Sequence, residues 1–313
     1  MKQFSYGMPS VLICDPIGAD RATTRETLLA IGFRNIELSV SPRDFGDALA
    51  TASFDLAICE CQGVEDELFG VIRALRRGDL SHNPFIVLIA TSWVESASLI
   101  RRAMESGVDD FLVRPVSTEI LRQHIGALIE DRKAFTISRD YVGPVRQSDQ
   151  SVPRSKPYFP PNSLRSKVKD LLRPEDINWQ LARELRLARH RLETRMLWCD
   201  AFQICVHLKL TGEYAPASTK HARNFAEVMA LVRVVKMRVQ KSKSELGIQY
   251  CQMVLSEIDT LFKNTTNTDA LALGRAAWSL YHYIDPTKSF EEYSSEVAAA
   301  AARVHDEKWS DGV

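Results

Sequence analysis

The chain has 313 residues, 45% of them hydrophobic and 26% charged, and its 40 basic side chains balance 40 acidic ones. That length predicts two domains and a connector, and the absence of net charge weakens the case for a nucleic-acid footprint spread over a folded face. No run approaches the ~18 to 20 apolar residues of a membrane span, and the opening MKQFSYGMPSVLICD lacks a signal-peptide pattern, so a cytoplasmic protein without a membrane partner is expected.

From residue 11, short apolar runs alternate with amphipathic stretches. VLICD (11–15) is followed by the helix-like RATTRETLLAIGF (21–33), then IELSV (36–40), DFGDALATA, LAIC, LFGVIRALRRG, FIVLIA (85–90), SASLIRRAMESG, DFLVRP and TEILRQHIGALIEDRK. This is a βα unit repeated five times, with strands apolar enough to be covered on both faces. The predicted class for residues 1–134 is a doubly wound α/β fold with a five-stranded parallel sheet. Functional sites in such sheets lie at the carboxyl ends of the strands. Polar groups stand there: Asp15 after the first strand, Glu60 after the third, Thr91 and Ser92 after the fourth and Arg114 after the fifth.

The six cysteines show no disulfide framework and no paired CxxC spacing, which predicts reduced core residues. Cys59 and Cys61 form the tightest grouping, but no second Cys/His cluster completes a zinc site.

Residues 135–174 contain six of the 13 prolines and a net charge of +5, against −5 for residues 1–134. An extended, largely unstructured tether is expected, leaving the two halves without a rigid connection. After Pro174 the pattern is helical to the end, giving a separate all-α domain over residues 175–313. In its first helix, read as 177–210 and about 50 Å long, Asp176 is a candidate cap. Leu181, Leu185, Ala188, Leu192, Met196, Cys199, Phe202 and Val206 recur at intervals of three and four. That stripe could serve a homodimer through paired helices. Further helices are read at 219–243, 245–263, 268–283 and 289–305, with a break at Gly247.

Three segments, VLICDP, DLAICECQG and SGVDDFLVRPVSTEIL, carry a resemblance. Over about Val11 to Ile129 the chain resembles the receiver domain of two-component response regulators, a flavodoxin-like fold. The last segment resembles the family's Gly-x-Asp-Asp-Phe/Tyr-Leu-x-Lys-Pro turn. The resemblance implies phosphoryl transfer from a histidine kinase to an aspartate, with Mg²⁺ and a lysine neutralising the transferred group. It places Glu60 at the phosphoacceptor position, Asp15 in what remains of the acidic pocket, Arg114 at the lysine position, Thr91 or Ser92 at the hydroxyl position and Phe111 at the switch aromatic.

The departures define the expected function. Glu60 carries its carboxylate one methylene further out than aspartate, which displaces in-line geometry. Pro16 stands where a second metal-binding acid is usual, and Mg²⁺ demands near-ideal oxygen ligation. Arg114 replaces a compact ammonium with a planar fork and could pair with Glu60 or Asp15. The expectation is a degenerate receiver in phosphorelay signalling. It would be non-enzymatic and without a cofactor, with any weak Mg²⁺ binding left to Asp15 and Glu60. The bland alternative is that Glu60 is a solvated acid without a partner.

In the helical half, ARHRLETRM at His190 and HLKLTG at His207 bear a faint similarity to phosphohistidine segments, but no Gly-rich ATP segment follows, and ordinary helix histidines are the favoured reading. The segment RVVKMRVQKSKSE places Arg233, Lys236, Arg238, Lys241 and Lys243 together, and a solvated helix face is favoured over a nucleic-acid contact. The expected partners are signalling proteins, a histidine kinase or other regulator, with homodimerisation open. The rival readings are a regulator whose helical half binds DNA or RNA, and a receiver that still accepts phosphate weakly or a helical half that relays it through His190 or His207.

Overall fold

The computed structural model describes residues 5–81, 83–146, 158–169, 174–213, 219–241, 245–263, 267–284 and 286–309. It divides into two compact units, residues 1–192 and 193–313.

In the first unit the alternating runs become β1 (Ser10–Cys14), α1 (Gly18–Ile31), β2 (Asn35–Ser39), α2 (Pro42–Thr51), β3 (Leu56–Glu60), α3 (Glu65–Arg76), β4 (Val87–Ser92), α4 (Ala97–Ser106), β5 (Asp110–Val113) and α5 (Thr118–Glu130). The five strands are parallel in the order β2-β1-β3-β4-β5, the flavodoxin-like arrangement of a doubly wound sheet. Side chains alternate between faces with period two. Val11, Ile13, Leu56, Ile58, Val87, Ile89 and Leu112 pack toward α1 and α5. Leu12, Cys14, Ala57, Cys59, Leu88 and Ala90 pack toward α2, α3 and α4. Ser41, Ser96 and Ser117 accept from backbone N–H groups three residues on, capping α2, α4 and α5.

The stretch expected to be an unstructured tether differs from that expectation. Residues 135–144 form an antiparallel hairpin, β6 (Phe135–Ile137) with β7 (Val142–Pro144), and Tyr158 bridges to Phe135. Helix α6 (Ser163–Lys169) follows, and its Leu164 and Val168 join the α1/α5 core. The physical reason is apolar content. Phe135, Ile137, Val142, Leu164 and Val168 are all buried, and the prolines and basic residues between them obscured the pattern. Residues 147–157 and 170–173 of that stretch lie outside the described residues.

The hairpin sits against a buried charge network. Arg76, fully buried, pairs with Asp109 at 2.9 Å, and Arg132 pairs with the same carboxylate at 2.7 Å. Arg76 also donates to the carbonyls of Gly107, Pro84 and Ile86. Both guanidiniums lie against the Phe135 ring, 5.2 and 4.9 Å from its centroid. Burial lowers the Arg76 pKa to about 10, with Asp109 opposing. Gly107 makes the close approach feasible: its φ is +106°, and a Cβ there would stand 2.8 Å from the Val142 carbonyl oxygen.

The helices after Pro174 are α7 (Pro174–Glu213), α8 (Thr219–Lys241), α9 (Glu245–Lys263), α10 (Asn267–Ile284) and α11 (Phe290–Trp309). The boundary between the two units falls inside α7. Two sequence expectations need correction here. Asp176 lies in the first turn of α7, with Glu175, rather than before it, and Gly247 lies inside α9, since a glycine's ~1 kcal/mol helix cost lowers helix stability without breaking a helix. The second unit has its own core, built on Ile204, Val206, Val228, Val232, Val235, Cys251, Val254, Leu280 and Tyr281. No helix among the described residues is long and apolar enough to cross a membrane.

The apolar stripe of the first helix is consumed internally. Leu181, Ala188, Leu192, Met196, Cys199 and Val206 are buried within the chain and Leu185 and Phe202 are half-buried, so most of that stripe is not the free seam that helix pairing between copies requires.

Candidate functional site

The candidate site lies at the carboxyl ends of the central strands, and strand parity selects its members. Asp15, Glu60, Thr91 and Arg114 continue the alternation of Ile13, Ile58, Ile89 and Leu112, so all four lean toward the α1/α5 side of the sheet. The parallel register sets Glu60 directly beside Thr91.

Arg114 is the centre of the arrangement. Its Nε lies 2.9 Å from Glu60 Oε2, and its Nη2 lies 3.1 Å from Asp15 Oδ2. The planar fork thus bridges two carboxylates from neighbouring strands, a geometry that lysine could not reproduce. The guanidinium also donates to Thr91 Oγ1 at 3.2 Å and to Thr24 Oγ1 on α1 at 3.2 Å. Thr91 in turn donates to Glu60 Oε2 at 2.9 Å. The remaining oxygens are occupied too: Ile17 N–H donates to Asp15 Oδ1 at 2.9 Å and Gln62 N–H to Glu60 Oε1 at 3.1 Å. Every oxygen of both carboxylates therefore has a partner.

The acid side chains are essentially inaccessible, 0% exposed for Asp15 and 3% for Glu60, so Glu60 is not a solvated strand-end acid. Burial raises both carboxyl pKa values above the ordinary range; backbone hydrogen bonds and Arg114 pull them down without cancelling the effect. The physical conflict is between the cost of burying charge and its partial compensation by one shared cation.

A divalent cation at the acidic pocket needs carboxylate oxygens in near-octahedral arrangement, whereas Arg114 stands against both acids and Pro16 supplies no side-chain oxygen. The residues present do not fit Mg²⁺, and among the described residues no group of three or more His, Cys, Asp or Glu is placed to hold a metal ion.

Of the two candidate hydroxyls, Thr91 is in the site. Ser92 points to the opposite face and accepts from Val94 N–H at 3.0 Å. Phe111 likewise has the opposite parity and packs half-buried against the α2/α3/α4 core. Three participants escaped the sequence reading: Thr24, Trp93 and Asp20. Trp93 donates from Nε1 to Asp20 Oδ2 at 3.0 Å, and its ring centroid lies 6.0 Å from the Arg114 guanidinium. Asp20 and Thr24 sit one turn apart on α1, and only the packing of that helix brings Thr24 to Arg114 and Asp20 to Trp93. A cavity of about 150 Å³ lies alongside, lined in part by Asp20, Thr24, Trp93, Val116 and Leu121.

The sequence-flagged groups elsewhere are not assembled into a site. Cys59 and Cys61 are buried free thiols; burial pushes Cys61 up to about 12 and raises Cys59 as well, the opposite of a reactive pair. His207 is buried and His190 exposed on α7. Within the basic segment, Arg238 pairs with Asp200 at 3.2 Å, and the side chains of Lys241 and Lys243 lie outside the described residues.

No protein-family model matches the chain, and no curated protein matches it. Among solved structures, it is similar to a chemotaxis response regulator of Vibrio cholerae at 20% identity, over 39% of this chain and 98% of that one, with a TM-score of 0.35. A signal receiver domain of a two-component histidine kinase from Clostridium thermocellum matches at 20% identity, over 39% of this chain and 98% of that one, TM-score 0.35. A response regulator from Thermotoga maritima matches at 18% identity, over 40% of this chain and 99% of that one, TM-score 0.35.

Proposed function

We propose that the first unit is a degenerate receiver module of two-component signalling, one that does not accept a phosphoryl group. In this reading the chain acts in the cytoplasm without catalysis, and its helical unit passes the signal on by binding protein. The observation that carries this reading is the saturation of the site: Arg114 joins Asp15 and Glu60, and all four carboxylate oxygens are hydrogen-bonded.

Phosphoryl transfer needs an acceptor oxygen aligned with the incoming phosphorus and a cation to neutralise developing charge. Here the acceptor-equivalent oxygen Oε2 already faces the guanidinium and the Thr91 hydroxyl. Breaking these contacts to admit a phosphoryl group and Mg²⁺ would leave buried charges unpaired, a cost of several kcal/mol. The same contacts tie β1, β3, β4, β5 and α1 together, so they support a domain held in one signalling conformation. The expected upstream and downstream partners are a histidine kinase or another signalling protein.

The test is incubation of the full chain with acetyl phosphate and Mg²⁺, followed by intact-mass measurement and acyl-phosphate trapping. No mass increment is expected. A rapidly formed acyl phosphate that disappears in Glu60→Ala overturns the proposal. Internal use of Arg238 by Asp200 disfavours the nucleic-acid alternative, because it removes one cation from the basic segment.

A further inference from the structure

The cavity of about 150 Å³ beside Arg114 is walled by α1, the strand ends and the start of α5. A cavity of that volume takes up one benzene-sized ring. Much of the wall is apolar, with Ile58, Leu112, Val116 and Leu121, and the Trp93 indole, 46% exposed, marks its open side.

Two polar groups of the wall have capacity left over. Arg114, its side chain only 8% exposed, spends Nε on Glu60 and Thr91 and Nη2 on Asp15 and Thr24. Its third nitrogen, Nη1, has no hydrogen-bond partner among the described residues. Asp20 Oδ2 accepts from Trp93 Nε1 at 3.0 Å, and Oδ1 is likewise without a partner among them. The indole touches both groups, since its centroid lies 6.0 Å from the guanidinium. A donor and an acceptor thus flank one aromatic ring at the edge of an apolar cavity.

We propose that this cavity binds a small uncharged molecule of one-ring size bearing a carboxamide-type group. The carbonyl oxygen accepts from Arg114 Nη1, the N–H donates to Asp20, and the apolar body lies against Trp93 and the aliphatic wall. The proposal rests on the cavity's own lining and stands whether or not the acidic site accepts a phosphoryl group.

Charge and hydrogen-bonding capacity select this class. Three carboxyl groups, of Asp15, Glu60 and Asp20, surround Arg114, and they outnumber the cations even when Arg21, which donates to the Asp15 carbonyl, is counted. An anionic guest meets that surplus of like charge. An ammonium guest has no lone pair to accept from Nη1. A pure hydrocarbon displaces water from Nη1 and Oδ1 without replacing its hydrogen bonds, which costs affinity. A carboxamide carries both an acceptor and a donor without net charge.

The experiment is saturation-transfer NMR and calorimetric titration of the full chain with benzamide, benzoate and toluene, without phosphodonor or Mg²⁺. Benzamide is expected to bind with a Kd of about 1 mM or tighter, the range open to a one-ring molecule. Benzoate and toluene are expected to bind at least about tenfold more weakly. Thr27→Phe sends a ring into the cavity from a half-buried position on α1 and should abolish binding with unchanged helical circular dichroism. Should that variant lose helicity, Trp93→Ala serves instead and is expected to weaken benzamide binding about tenfold. Asp20→Asn should narrow the gap between benzamide and benzoate. Absence of benzamide binding, equal binding of benzoate or toluene, indifference to Thr27→Phe and Trp93→Ala, or a gap that Asp20→Asn leaves unchanged overturns the proposal.

Discussion

Arg114 and Glu60 form a buried ion pair at 2.9 Å in which the arginine is shared with Asp15 at 3.1 Å. One cation serves two acids, so the site carries an electrostatic deficit that only burial contacts and hydrogen bonds offset. Its consequences can be measured.

Removing the shared cation strands both carboxylates. Arg114→Ala is expected to lower unfolding free energy by about 3 to 5 kcal/mol at neutral pH, seen as a reduced midpoint in urea with an unchanged slope. Arg114→Lys should fall between the two, since an ammonium keeps the charge but loses the fork. An unchanged midpoint in the alanine variant would show that the pair contributes nothing.

The pH dependence has a definite sign. Burial raises the carboxyls of Asp15 and Glu60 above 3.8 and 4.5, their ordinary values. The folded protein therefore holds these protons to higher pH than the unfolded chain. Their contribution to stability is present below the ordinary values and lost as pH rises through the raised ones. Glu60→Gln, which mimics the protonated acid, should gain on the wild type as pH climbs from about 4.5 to neutrality. A deficit that grows with pH instead would mean that Arg114 outweighs desolvation.

Three residues account for the misfit of the acidic pocket to Mg²⁺, and exchanging them should produce a cation site. In the combined variant Pro16→Asp, Glu60→Asp, Arg114→Lys, a second acid is added, the acceptor is shortened and the fork is withdrawn. Calorimetric titration with Mg²⁺ is expected to show binding in this variant and none in the wild type. Equal heats in both would mean that these three residues are not what keeps Mg²⁺ out.

At the opposite end of the strands, Asp109 pairs with both Arg76 and Arg132. Asp109→Ala leaves Arg76 fully buried without a counter-charge, and a loss of about 3 to 5 kcal/mol is expected. Hydrogen exchange should localise the effect to the β6–β7 hairpin, whose Phe135 lies against both guanidiniums. Uniform protection loss across the sheet would argue against that localisation.

Much of this was legible from the chain alone. Period-two apolar runs separated by amphipathic stretches define the five βα units, and Asp15, Glu60 and Arg114 stand at strand ends by simple counting. The helices of the second unit follow from recurrences at three and four. The choice between Thr91 and Ser92 was not legible, because it depends on the β3–β4 register that sets Glu60 beside Thr91. Trp93, Asp20 and Thr24 were missed for a related reason: no local pattern marks a residue whose role arises from another element's packing. The stretch 135–174 misled through composition, its prolines and cations masking five buried apolar side chains.

Local periodicity thus determined which elements form and which residues end the strands, because backbone geometry repeats over a few residues and leaves its mark in the order of side chains. The tertiary structure decided which charges meet. Arg114 lies 99 positions from Asp15, and a guanidinium shared between distant strands depends on chain separations that no short window of sequence contains.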